Sequence, residues 1–250
     1  MFKGLIAHNL NNRLCLKVLT NRVYQIKPEE KIDPCTASLI GFTSSLSREY
    51  PQLEVSCLDI DLDDFTDEVT EAKQQALVAP ILAELPHSQG EAVALRQGRR
   101  YVRKLVPIKL PSVPKTPFRT KGVYFILGGA GGIGLELCRY LTETVQAKVI
   151  LVGRSELDSQ KQAKIKAIEA QGGEILYLQA DSTDLASMQK AVDQARNRYG
   201  KIHGVFHSAI VLKDKTLENM DESSLRQALD VKVRGSVILH KIFQIGRAHV

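Results

Sequence analysis

The stretch ILGGAGGIGLEL, Ile126–Leu137, decides how the rest of the chain is read. The residues before it, GVYF, are apolar and suit a buried strand. The residues after it, continuing into CRYLTETVQ, carry apolar side chains at helical spacing. Between them lie Gly128, Gly129, Gly131, Gly132 and Gly134. Glycines at such a junction permit a tight turn, close backbone approach to a pyrophosphate, and close packing of helix on strand. The helix N-terminus then offers unpaired N–H groups and the positive end of its dipole. Gly129, Gly131 and Gly134 fit the Gly-x-Gly-x-x-Gly spacing, which is informative only between a strand and a helix, and that context is present. The alternative is a glycine-rich turn that binds nothing.

Outward from this loop the pattern repeats. AKVILVGR, EILYLQAD and IHGVFHSA read as further strands. ELDSQKQAKIKAIEAQGG and DLASMQKAVDQARNRYG read as helices, and another begins near Glu222. Apolar strands alternating with amphipathic helices predict a doubly wound parallel sheet covered on both faces. The second strand ends in LVGRS, about twenty residues past the loop, where an acid would hold adenosine ribose hydroxyls. Arg154 and Ser155 stand there instead, and an arginine suits a 2′-phosphate, hence NADPH. A plain surface arginine is the alternative. The third strand ends in QADSTD, with Asp181 placed to meet an adenine amino group or to cap the following helix, or both.

KLPSVPKTPFRTKG, residues 109–122, has prolines at 111, 114 and 117 and reads as a linker. It separates a first half, residues 1–108, from residues 123–244. In the first half RLCLKVLTNRVYQI is expected to be a strand or hairpin, and LEVSCLDIDL a strand. A helix is expected from Asp33 as N-cap with Pro34 following, and another is expected to be interrupted near Pro80. Two strands are expected around a Gln97–Gly98 turn. No catalytic constellation is visible there.

The composition, 44% hydrophobic and 25% charged, is that of a soluble globular protein. No run reaches the roughly 20 apolar residues that span a bilayer, and the start resembles no secretory signal, so a cytoplasmic protein without membrane contact is expected. The four cysteines show no zinc-like spacing and are expected to be buried thiols, so no metal is expected. Net charge is +6, and from Ala92 to Leu135 there is no acid at all. A solvated strand face plus linker explains that run better than nucleic-acid binding, since no such motif accompanies it; an acidic protein partner stays open.

Taken together, ILGGAGGIG, LVGRS, QADSTD, GVFHSAIVLKDKTLENM and ALDVKVRGSVILH resemble, in order and spacing, the ketoreductase domains of modular polyketide synthases, within the short-chain dehydrogenase/reductase superfamily. Gly128, Gly132 and Gly134 match the superfamily's Thr-Gly-x-x-x-Gly-x-Gly, with Leu127 in place of threonine. GFTSSLSREYP and EAVALRQGRRYVRKL are similar to that family's structural subdomain. The resemblance implies an α/β fold of two Rossmann-like lobes, a truncated structural subdomain followed by an incomplete NADP(H)-binding subdomain. It implies reduction, with NADPH, of a β-ketoacyl group carried on the phosphopantetheine of an acyl carrier protein, in cis to other synthase domains. The implied cofactor residues are Gly128, Gly129, Ala130, Gly131, Gly132, Ile133 and Gly134 in the loop, Arg154, Ser155, Asp181 and Ser182 at strand ends, and His207, Ser208 and Ala209 in FHSAI. Lys232 matches the active-site lysine, which holds the nicotinamide ribose and lowers the pKa of the catalytic tyrosine. Leu212 and Asp214 match the Leu-Asp-Asp stretch of the subclass giving D-configured alcohols, but Lys213 replaces its first aspartate.

That family's proton donor is a tyrosine followed four residues later by Lys or Asn. The seven tyrosines here are followed by Pro28, Glu54, Leu105, Gly128, Thr144, Asp181 and His203. The chain is therefore expected to be an inactive fragment of a longer enzyme. IGRAHV, 245–250, is expected to be a translated sequencing adapter rather than a natural C-cap, and MFKGLIAHNL reads as a clipped helix. The competing expectations are a redox-inactive structural domain and an NADPH-binding Rossmann sensor.

Overall fold

The computed structural model describes residues 4, 14–65, 70–85, 92–109 and 116–244, with the backbone alone of Phe65 and Lys73. The tail 245–250, nearly all of MFKGLIAHNL and most of the proline segment lie outside the described residues. The chain divides into two compact units. One is Met1–Leu110 with Lys215–Asn219, and the other is Pro111–Asp214 with Met220–Val250. The assignment of Lys215–Asn219 to the first unit is not visible in the sequence. Within that unit the Leu217 amide donates to a Glu49 carboxylate oxygen at 2.7 Å.

The first unit holds β1 (Leu14–Asn21), α1 (Ser38–Glu49), β2 (Leu53–Ile60), α2 (Glu71–Ala83), β3 (Ala92–Arg96) and β4 (Arg99–Val102). Its sheet runs β1-β2-β3-β4, parallel except for β4. The hairpin at Gln97–Gly98 is as expected: both residues have positive φ, +50° and +73°, as a two-residue turn between twisted strands requires. One expectation is narrowed and two need correction. RLCLKVLTNRVYQI holds the strand alternative and not the hairpin: the strand is Leu14–Asn21, and after Arg22, whose amide donates to the Ile60 carbonyl, the chain turns until the Asp33 amide meets the Arg22 carbonyl. Asp33 caps only a 3₁₀ turn, Pro34–Thr36, and α1 starts at Ser38 without a side-chain cap. Nor does Pro80 interrupt α2. Its ring removes one amide donor, but the Glu84 amide still bonds to the Pro80 carbonyl at 3.0 Å, and Ile81 is buried against the sheet.

The basic run also departs from expectation at one position. Arg99 and Arg100 are exposed, but Arg96 is 2% exposed and sits at the C-terminal ends of the parallel strands. Its guanidinium donates to Asp59 Oδ2 (2.8 Å) and to the carbonyls of Asp59, Leu95 and Tyr24 (2.8–3.0 Å), and pairs with Glu30 at 3.3 Å. Asp59, fully buried, also accepts from the Thr20 hydroxyl and the Val23 and Tyr24 amides. Every charge here has partners, which makes the burial tolerable.

The second unit contains β5 (Val123–Leu127), α3 (Gly132–Val145), β6 (Lys148–Gly153), α4 (Ser159–Ala170), β7 (Glu174–Gln179), α5 (Leu185–Tyr199), β8 (Gly204–His207) and α6 (Glu222–Phe243). The sheet order is β7-β6-β5-β8, all parallel. Alternation along the strands feeds two cores. Val123, Phe125, Leu127, Ile150 and Val152 face Met188, Val192, Ile238 and Leu239 of α5 and α6. Tyr124, Ile126, Val149 and Leu151 face Leu135, Cys138, Leu141, Ile165 and Ile168 of α3 and α4. Of the cysteines only Cys57 and Cys138 are buried, and burial pushes the Cys138 thiol up to about 12; Cys15 and Cys35, expected to be buried, are exposed. No described helix is long and apolar enough to cross a membrane.

Removing one partner of a buried ion pair leaves the other charge unpaired, so Arg96→Met should destabilise the first unit by about 3–5 kcal/mol. Urea unfolding followed by circular dichroism checks this. A loss under about 1 kcal/mol would show that the network carries little of the fold's stability.

Candidate functional site

In the second sheet the chain proceeds from β5 outward to β6 and β7, then returns to place β8 on the other side of β5. Such a reversal opens a crevice at the C-terminal ends of the two flanking strands. Leu127 of β5 pairs with His207 of β8 at that end, and the Ser208 amide donates to the Leu127 carbonyl at 2.8 Å. A cavity of about 390 Å³ lies there. Its walls come from the ends of all four strands and from one side of α6, where Gln227, Asp230 and Val231 lie.

The glycines at the crevice are there for space. Gly128 has φ +78°, and a Cβ on it would stand 2.5 Å from both the N and Cα of Ala209. A Cβ on Gly134 would stand 2.6 Å from the Gly128 and Gly129 carbonyl oxygens, so the first turn of α3 can lie against the loop only without a side chain. The loop is anchored below, where the Gly128 and Gly129 amides both donate to the Val152 carbonyl, at 2.7 and 3.2 Å.

The helix that follows is unlike its neighbours. The N-termini of α4, α5 and α6 are closed by Asp158, Asp184 and Asp221, whose carboxylates accept from backbone amides. The N-cap of α3 is Gly131, with no side-chain cap and no acid in the first turn. Its first amides therefore keep their donors unpaired by the chain, at a cavity that Gly131 lines. A cradle that a Cβ would fill, beside an uncapped helix end, has the chemistry of a pyrophosphate subsite.

Of the residues picked out from sequence, Gly128, Ala130, Gly131, Arg154, Ser155, Asp181, Ser182, Ser208 and Ala209 line this one cavity. Gly129, Gly132, Ile133 and Gly134 belong to the loop and helix turn behind it; Ile133 is exposed. Lys232 does not line the cavity: its side chain is exposed, about 100° round α6 from Val231, which does line it. His207 lies beneath the wall. Its Nε2 stands 3.0 Å from the Val231 carbonyl, to which only a protonated nitrogen can donate, and its Nδ1 is buried without a partner among the described residues. Gly235 permits that contact, since a Cβ there would stand 3.1 Å from His207 Nε2.

Arg154 is exposed at the cavity and forms no ion pair among the described residues. The β6–α4 turn is held by two long-range bonds: Gln179 Nε2 donates to the Arg154 carbonyl (2.9 Å), and the Tyr177 hydroxyl to the Ser155 carbonyl (2.5 Å). Asp181 is not the cap of α5, a role taken by Asp184. Instead its Oδ1 accepts from the Thr183 amide (2.8 Å) and hydroxyl (2.7 Å) in a tight turn. The Thr183 amide bond is the main influence holding its carboxyl below the usual range, against some burial, with help from the Thr183 hydroxyl and from Arg154 and Arg234. The carboxylate is therefore charged, with Oδ2 outside the turn's bonding. Lys161, Tyr177, Thr183, Gln227 and Asp230 line the cavity as well and were not picked out from sequence. Tyr177 lies two residues before a strand end and Lys161 three beyond a cap, positions that show their significance only once the sheet is assembled.

The KR domain family model matches residues 122–249. Polyketide synthase ThaG of Burkholderia thailandensis is 36% identical over 242 residues, which are 96% of this chain and 4% of that protein. Polyketide synthase PksM of Bacillus subtilis is 30% identical over 230 residues, 91% of this chain and 5% of that protein. Among solved structures, a keto acid-selecting NRPS module containing adenylation, ketoreductase and pseudo-Asub domains superposes with a TM-score of 0.81 at 26% identity. That match covers 96% of this chain and 20% of the other. The chain thus spans a small part of the length of these two relatives and about a fifth of that module.

Gly128→Ala should destabilise the second unit by about 1–3 kcal/mol, through backbone collision and a strained φ. A neutral effect in urea unfolding would contradict the close approach to Ala209. A depressed carboxyl contributes stability that is present above its unfolded pKa, about 3.9, and lost as pH falls through the lower folded value. Wild type should therefore exceed Asp181→Asn by about 1 kcal/mol near neutral pH. That gap should close as pH falls below about 4, and a gap that persists or widens in acid would contradict the assignment.

Proposed function

The chain belongs to the ketoreductase (KR) domain family of modular polyketide synthases, in the short-chain dehydrogenase/reductase superfamily, and on that premise we propose that it carries the NADPH-binding part of a β-ketoacyl reductase. The parent protein's substrate in this reading is a β-ketoacyl thioester on the phosphopantetheine of an acyl carrier protein, delivered by neighbouring domains in cis and reduced to the β-hydroxyacyl thioester. The observation that supports it best is the uncapped N-terminus of α3 at a cavity whose β6 end carries Arg154 instead of an acid.

NADPH, when bound, supplies the hydride. The chain's own residues bind and orient it. The amides at the start of α3 take the pyrophosphate, and Gly128 and Gly134 keep side chains out of its way. Arg154 and Ser155 take the 2′-phosphate, Asp181 accepts from the adenine amino group through Oδ2, and Ser182 borders that subsite. Ser208 and Ala209 line the cavity past β8, and His207 ties that strand end to α6. Lys232, as in the family it matches, would act on the reacting end by fixing the nicotinamide ribose and stabilising a deprotonated tyrosine by its charge, from a place on α6 outside the lining of the cavity. None of the seven tyrosines has the required Lys or Asn four residues on, so residues 1–250 alone are proposed to bind NADPH without turning it over. A positioned general acid typically contributes about 10²–10⁴-fold.

Fluorescence titration of the 250-residue chain should show NADPH binding more tightly than NADH. Arg154→Ala should weaken NADPH about tenfold, or about 1.4 kcal/mol, and leave NADH within about twofold. Equal affinity of the wild type for the two cofactors would contradict the 2′-phosphate reading. Oxidation of NADPH with a β-ketoacyl thioester analogue above the buffer rate would contradict the fragment's proposed inactivity.

A further inference from the structure

Arg154 is not the only cation at its corner of the cavity. Lys161, in the first turn of α4, lines the same cavity beside Ser155 and Tyr177. Its ammonium pairs with Asp158 Oδ2 at 2.8 Å, while Asp158 Oδ1 accepts the Lys161 amide at 2.8 Å as the cap of the helix. The pair is half-exposed, 42% and 55%, so it is weak and can exchange partners readily. The ammonium's charge also reaches the cavity wall, where it opposes the burial that raises the Tyr177 hydroxyl. Glu156 lines the cavity directly, and Asp158 is linked to it through its pair with Lys161. Without Lys161, the Asp158 carboxylate would lose its ion-pair partner and add an uncompensated negative charge next to the cavity wall that Lys161 forms.

We propose that Lys161 is a specificity-determining residue for the 2′-phosphate: it neutralises Asp158 when the corner is empty and turns to the phosphate when the phosphate is bound. This rests on the NADPH reading above. Arg154 provides a planar fork, and Lys161 a second, mobile charge at the same cavity. Because Asp158 also caps α4, it cannot follow the lysine, and the pair becomes a spring-loaded contact between helix cap and ligand.

The experiment measures the affinities of 2′,5′-ADP and 5′-AMP, which differ only in that phosphate, for the 250-residue chain by calorimetry. The wild type should prefer 2′,5′-ADP. Lys161→Gln should lower that preference roughly fivefold and leave 5′-AMP within about twofold, and Lys161→Arg should restore most of it. Asp158→Asn keeps a good N-cap and removes the competing charge, so it should raise the preference roughly twofold to threefold. A wild type with no preference overturns the NADPH reading and this inference with it. If Arg154→Ala abolishes the preference but Lys161→Gln leaves it unchanged, Lys161 has no such role and the NADPH reading stands. Equal weakening of both nucleotides by Lys161→Gln, or a lower preference in Asp158→Asn, also overturns the role of Lys161.

Discussion

The second unit depends on one contact, the approach of the Gly128 backbone to Ala209 with no room for a Cβ between them. It joins the ends of β5 and β8, the strands between which the winding reverses. Because Gly128 is bare, the loop can bend immediately beyond Leu127 and bring the start of α3 to the crevice. Because Gly134 is bare, that helix can lie against the loop that introduces it. The amides at its N-terminus then face a cavity with no carboxylate of their own. Each later feature of the site presupposes this junction.

The two units treat the same architectural position in opposite ways. In both, parallel strands end side by side and leave backbone and side-chain polar groups at their C-terminal edge. In the first unit that edge is filled from within: Arg96, Asp59 and Glu30 join the ends of β1, β2 and β3 and bind the returning segment through Thr20, Val23 and Tyr24. Among the described residues these three charged groups all have protein partners. In the second unit the edge stays open, and the polar groups at it, Arg154, Asp181 and the α3 amides, are held in place by neighbours that satisfy only part of their capacity. The two units thus differ both in strand order and in how far the groups at their strand ends bond one another.

Much of this was legible in the chain. The strand and helix pattern of residues 123–244 was readable because fully buried strands carry continuous apolar runs and the helices between them are amphipathic. The glycine loop was readable because its spacing has a steric meaning that survives without coordinates. What could not be read were pairings between distant residues. Arg96 looked like one more member of a basic run, and only its position opposite Asp59 makes it a core residue. Pro80 looked like a break, and tertiary burial of Ile81 overrides it. Tyr177, Lys161 and the His207–Gly235 contact lie on separate elements that meet only in the folded sheet.

Backbone hydrogen exchange of the 250-residue chain, measured with and without saturating NADPH, addresses the central claim most directly. Protection is predicted at Gly128–Gly134 and around Arg154 and Asp181–Thr183, with the first unit unchanged. Unaltered exchange across Gly128–Gly134, or protection confined to the first unit, would contradict a cofactor cleft at the Gly128–Ala209 junction.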